Sequence, residues 1–161
     1  SFRAFVRRAY KMNYALQIIT AFLGSLGFSV LFNIRRTKLL IAGLGGMLSW
    51  SVYLLLGIYF DSDPIRYFFA PIFVTVYAEI FARIKKTPTT SYLVPAFIPL
   101  IPGGALYNTM KFALHNDWQS FGDTAVYTIQ LALALSAGII VVASVMRMVH
   151  ALYRFIFPKK Q

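Results

Sequence analysis

This sequence predicts an all-α integral membrane protein with five transmembrane helices, the fourth of them broken at a proline-glycine motif, and three observations predict it. Of 161 residues, 58% are hydrophobic and 13% charged, with a mean hydropathy of +0.65; a soluble domain carries about a quarter charged residues. The apolar residues are gathered into five runs, each near the roughly 20 residues that cross a bilayer as a helix, and polar clusters separate them. The fourth run is apolar yet holds Pro95, Pro99, Pro102, Gly103 and Gly104, which no regular helix accommodates.

Charge and composition exclude several function classes. The net charge is +11, from 16 Lys and Arg against 5 Asp and Glu. In a soluble protein that balance points to nucleic acid. Here the basic residues sit at the ends of apolar runs, where they set topology and meet the lipid bilayer, so no nucleic-acid partner is expected. There is no cysteine, hence no disulfide and no thiolate metal site. His115 and His150 lie far apart, and neither a metal nor a cofactor is expected. An intramembrane enzyme would need an HExxH helix, a GxSxG elbow or paired acids in one span; none is present, and no enzymatic activity is expected.

The elements follow in order. Residues 1–13 form a basic arm in which Arg3, Arg7, Arg8 and Lys11 fall among Phe2, Phe5, Val6 and Tyr10. At helical spacing this reads as an amphipathic segment on a membrane surface, or equally as a frayed extension. Residues 14–161 form one five-span transmembrane domain. The first span, 14–32, continues at full spanning length, so it is no cleavable signal peptide. It ends at Phe32-Asn33 ahead of Arg35, Arg36 and Lys38. The second, 39–58, carries the small-xxx-small pairs Ala42/Gly46 and Gly45/Ser49, which let helices approach closely. Asp61 and Asp63 form an acidic turn before Pro64. The third span, 65–84, contains Glu79 within its apolar run and closes on Arg83, Lys85 and Lys86. The broken fourth span covers 92–114. A polar loop, 115–123, leads to the fifth span, 124–148, whose helix extends toward 157.

Five spans put the termini on opposite sides. Ten basic residues fall on the side of the C-terminus and six on the side of the N-terminus, which also holds Asp61, Asp63, Asp117 and Asp123. The positive-inside rule then places the N-terminus outside and the C-terminus in the cytoplasm.

The break in the fourth span is the leading candidate site. Each proline removes a backbone donor and clashes with the carbonyl four residues back. Pro99 and Pro102 push Ile98 and Ile101 away from the α region. Regular helix is expected on both sides, through 92–94 and from Ala105. Bare backbone in hydrocarbon costs several kcal/mol per unsatisfied group, so such a break persists only where protein or a water-filled cavity covers it. Pro102 suits the first turn of the outgoing half-helix, whose free N–H groups at Gly103 and Gly104 would attract a substrate carboxylate. Tyr107 and Asn108 lie one turn further on. A kinked helix tolerated by packing is the plainer alternative. Glu79 and Arg83, at i,i+4, read either as an ion pair or as a proton-coupling switch. Asn33 most simply ends the first span.

The segments Ala78-Glu79-Ile80-Phe81-Ala82-Arg83, then Pro88, then Leu93-Val94-Pro95-Ala96-Phe97-Ile98-Pro99-Leu100-Ile101-Pro102-Gly103-Gly104-Ala105-Leu106-Tyr107 resemble the signature of the threonine/serine exporter (ThrE) family. Gly27-Phe28-Ser29-Val30-Leu31-Phe32-Asn33 resembles it too, and gives Asn33 a place in the pathway. The length and span count are similar to its small-subunit branch. The resemblance covers roughly residues 14–157 and leaves out the basic arm. It implies one half of an inverted-repeat secondary transporter in a bacterial plasma (inner) membrane. It further implies a larger five-span partner with a cytoplasmic hydrolase-like domain, in an opposite orientation that an odd span count requires. Higher oligomers of that pair are compatible with it. The implied activity is proton-coupled export of threonine or serine. Small dicarboxylates such as succinate are the alternative substrates, and a non-transporting structural subunit is the remaining alternative.

Overall fold

The computed structural model describes residues 14–156; the basic arm, residues 1–13, and residues 157–161 lie outside the described residues. The described chain is helical throughout. Helix α1 spans Tyr14–Leu31, α2 Thr37–Tyr59, α3 Asp63–Ile84, α4 Thr90–Phe97, α5 Gly103–Leu114 and α6 Trp118–Ile156, and a 3-10 turn, Ile98–Leu100, follows α4. Four of these helices (α1, α2, α3 and α6) are long and apolar enough to cross a membrane. The segments Thr90–Leu100 and Gly103–Leu114 pass the same test only as a pair, bent by 57° between them.

Three helices end in the same way, with the chain turning left-handed at a residue other than glycine. Asn33 (φ 57°), Lys86 (φ 48°) and Asn116 (φ 55°) each have positive φ just beyond α1, α3 and α5. The amides that follow reach back five residues, Ile34 to Ser29 (3.0 Å), Thr87 to Ala82 (2.9 Å) and Asp117 to Phe112 (3.1 Å). This is the Schellman closure, which satisfies carbonyls the helix leaves open. Asparagine tolerates the conformation best after glycine, so the plain sequence reading of Asn33 as the end of the first span agrees with its geometry.

The fifth span begins earlier than the sequence suggests. Residues 115–123 read as a polar loop, but α6 starts at Trp118, because Asp117 caps it: the Ser120 amide donates to Asp117 Oδ1 at 3.2 Å. At 39 residues α6 is about 58 Å long, well beyond the roughly 30 Å of a bilayer's hydrocarbon.

Helix α2 is the hub, packed against α1, α3, α4 and the 3-10 turn. Its small residues make this possible. A side chain at Gly46 would collide with Ser25 of α1, and a Cβ at Gly45 would stand 2.9 Å from both Ala96 of α4 and Tyr77 of α3. Gly46 thus lets α1 approach α2, while Gly45 makes room for α4 and α3. The core is correspondingly fine-grained: Ala42, Ala70, Ala78 and Ala96 are wholly buried, along with Tyr92 and Leu100. Helix α6 closes on α3, where Gly138 meets the Phe68 carbonyl and the ring of Pro71 too closely for any side chain. In the spanning windows of α1 and α6 only 17% of residues are buried, against 39% in α2 and 44% in α3. Helices α1 and α6 thus carry most of the outward apolar surface.

Candidate functional site

The backbone between α4 and α5 follows from its prolines in part. Helix α4 does not stop ahead of Pro95, as expected; it runs to Phe97 with Pro95 inside it. The lost hydrogen bond is tolerated because Pro95 and Ala96 are completely buried, Ala96 against α2. Ile98 likewise stays helical (φ −48°, ψ −46°) in spite of Pro99. The complete burial of Leu100 holds that turn in place against the steric preference. Ile101, ahead of Pro102, is extended (φ −62°, ψ 126°) as that preference requires. Pro102 (φ −74°, ψ 59°) is the cap of α5 rather than part of its first turn, and sits in an inverse γ-turn that ties the Gly103 amide to the Ile101 carbonyl at 2.7 Å. The first bond inside α5 runs from Leu106 to Pro102 at 3.0 Å. The amides of Gly104 and Ala105 therefore have no acceptor within their own helix.

Gly104 and Ala105 line a cavity of about 500 Å³. Pro99, Ile101, Pro102, Gly103 and Gly104 form one wall, and a Cβ added at Gly103 or Gly104 would meet only open space. Gln17 and Thr20 of α1, Trp50 and Tyr53 of α2, Asp63 and Tyr67 of α3, and Tyr127 and Leu131 of α6 form the others. All of these lie toward the end of the bundle that carries the turn between α2 and α3. The aromatic wall is ordered by contact: Trp50 stacks on Tyr53 at 4.9 Å, Tyr53 meets Tyr67 edge-on at 5.1 Å, and the Trp50 indole N–H donates to Gln17 Oε1 at 3.1 Å.

Asp63 is the charged group of this cavity. Its carboxylate accepts hydrogen bonds from the Tyr53 hydroxyl (3.3 Å) and the Tyr127 hydroxyl (2.5 Å), and pairs with Arg66 Nη1 at 3.2 Å. Arg66 is itself buried, and its remaining donors close the end of α2: Nε donates to the Phe60 carbonyl at 2.6 Å and Nη2 to Gly57 at 3.4 Å. A cation on the terminal carbonyls of a helix is favourable through the helix dipole. One ion pair thus ties α2, α3 and α6 together beside the break.

A second cavity, of about 390 Å³, lies at the other end of α3. Glu79 and Asp63 are about 24 Å apart along that helix. Glu79 Oε2 stands 3.6 Å from Arg83 Nη2 and Glu79 Oε1 accepts from the Thr89 hydroxyl at 3.1 Å. Arg83 Nη1 donates to His150 Nδ1 of α6 at 3.1 Å. No group of three or more metal-binding side chains occurs among the described residues.

The structure therefore brings Pro99, Pro102, Gly103 and Gly104 together at one cavity, and Glu79 with Arg83 at another. Tyr107 is 65% exposed on α5, Asn108 donates to the Gly104 carbonyl at 2.8 Å, and neither lines either cavity. Asn33 accepts from Arg35 Nε at 2.9 Å at the far end of α1 from the first cavity, about 24 Å from Gln17. Sequence reasoning missed Asp63, Arg66, Tyr53 and Tyr127. An acid and an arginine at i,i+3 on entry to a span were the available signal for the first two. The tyrosines carried none, since their partner is supplied by the fold.

Residues 17–145 match the protein family described as Threonine/Serine exporter, ThrE. No curated protein and no solved structure matches the chain.

Proposed function

The chain belongs to the threonine/serine exporter family, and from that premise we propose that it is a subunit of a secondary transporter that exports small hydroxy amino acids. The observation that carries this reading is the meeting of the Pro102–Gly104 break with the Asp63 network in one cavity of about 500 Å³. An amino acid needs an anionic and a cationic receptor in one partly dry space. Asp63 offers the first to the ammonium group. The Gly104 and Ala105 amides, at the positive end of α5, offer the second to the carboxylate. The phenols of Tyr53 and Tyr127 supply hydroxyl partners. A carboxylate in the lining also favours an amino acid over a dicarboxylate such as succinate, whose second anionic end would meet like charge.

In this reading α4, the 3-10 turn and α5 make one broken span, giving five crossings, with the N-terminus outside a bacterial inner membrane and the C-terminus in the cytoplasm. The first cavity then opens outward, and Glu79 lies toward the cytoplasm as the coupling acid: its protonation releases Arg83. A larger five-span partner of opposite orientation completes an inverted repeat. The sparsely buried α1 and α6 supply apolar faces for it to cover.

Efflux of labelled threonine, serine and succinate from proteoliposomes holding the chain and its co-purified partner tests the proposal. Gradient-driven loss of threonine or serine is the expected result. Retention of both by a folded, correctly inserted complex overturns it.

A further inference from the structure

The second cavity has the chemistry of an anion receptor. Arg83 and Lys86 reach it from the end of α3, and Arg147 and His150 from α6. Its one acid, Glu79, is already met by Arg83 at 3.6 Å and by the Thr89 hydroxyl at 3.1 Å. The guanidinium of Arg83 can only donate, so His150 Nδ1 accepts its hydrogen bond. The imidazole proton then sits on Nε2, making His150 a further donor. Among the described residues neither Lys86 nor Arg147 has an ion-pair partner. Lys86 occupies the left-handed position that closes α3 (φ 48°), where glycine is the usual residue. A lysine is placed at the cavity at the cost of backbone strain.

The surroundings narrow the ligand. Ile80 and Ile84, next in sequence to Glu79 and Arg83 on α3, and Val149, next to His150 on α6, are exposed apolar residues. A basic cavity between spanning helices, at the end of the bundle and flanked by apolar surface, suits a headgroup with its acyl chains alongside.

We propose that this cavity binds a phosphate group, carried by an anionic phospholipid. The site shares Glu79 and Arg83 with the proposed coupling pair, but its test reads lipid binding rather than transport, so its failure would leave the transport reading standing. The test is the thermal stability of the full chain in neutral detergent, titrated with phosphatidylglycerol, with phosphatidylcholine, and with inorganic phosphate. Wild type is compared with the double variant Lys86→Gln/Arg147→Gln and with a control, Arg35→Gln/Lys38→Gln, which removes two cations outside the cavity. Circular dichroism checks that all three are equally helical. The expected result is stabilisation by phosphatidylglycerol and none by phosphatidylcholine. Apparent affinity should fall by roughly one to two orders of magnitude in the cavity variant and hold in the control. The same pattern with inorganic phosphate alone would keep the site and overturn the lipid as its source. Equal losses in both variants, or no stabilisation by either phosphate probe, would overturn the site.

Discussion

The hydroxyl of Tyr127 lies 2.5 Å from Asp63 Oδ2, joining α6 to the first turn of α3 across 64 residues of sequence. A phenol donating to a carboxylate makes a charge-assisted bond, worth about 1.5–3 kcal/mol. Tyr127→Phe should lower thermal stability by that order and weaken threonine binding about tenfold. Asp63→Asn should cost more, about 3 kcal/mol, because it leaves Arg66 buried without its counter-ion; the figure is at the low end for buried pairs since the Asp63 side chain is 21% exposed. Isothermal titration beside a melting curve separates the two effects. Undiminished threonine affinity in folded Asp63→Asn would remove Asp63 from the site.

The break can be straightened without filling the cavity. Pro99→Ala with Pro102→Ala restores two amide donors, and helix propensity gains about 3 kcal/mol for each proline that comes to lie inside a helix. The variant should insert and pair normally yet lose substrate binding, because the Gly104 and Ala105 amides become part of a continuous helix. Gly104→Val, whose side chain enters open space, should block binding with the break intact. Normal transport by both variants would reduce the segment to a packing kink.

Glu79→Gln keeps the hydrogen bond from Thr89 and removes the charge that faces Arg83. Gradient-driven efflux should fall about tenfold or more while substrate exchange survives, since exchange needs no net proton movement. Unchanged pH dependence of efflux would leave Glu79 and Arg83 as an ion pair only.

Asp117 gives a pH effect outside the spans. The Ser120 side chain and amide, both donating to its carboxylate, hold it below its ordinary value of 3.8. The folded value is the lower one, so the cap's stabilisation is complete above 3.8 and disappears as pH falls through the folded value. Asp117→Asn, which caps without titrating, should flatten this part of the acid dependence. Asp117→Ala should fray the start of α6 at every pH. Melting curves at acidic and neutral pH, and amide exchange at residues 118–121, read the two outcomes.

Composition and the lengths of the apolar runs were enough to establish a helical membrane protein, because crossing hydrocarbon requires that backbone groups be paired within each segment. The same local logic applies at Ile101, which is extended ahead of Pro102, since the clash with a proline ring is a property of the dipeptide itself. It also read Asn33 as a helix end. Local rules gave way where packing opposed them: Pro95 and Ile98 remain helical because complete burial of Pro95, Ala96 and Leu100 outweighs one lost hydrogen bond and a steric preference. The loop expected over 115–123 shortened because Asp117 found an amide to cap.

The sites themselves belong to the tertiary structure. That Gly46 faces Ser25 while Gly45 faces Ala96, that Tyr53 and Tyr127 converge on Asp63, and that His150 meets Arg83 all depend on which helix faces which. A helical period shows that a residue lies on a face, but what stands opposite is decided by the close packing of small residues around α2, which no single segment encodes.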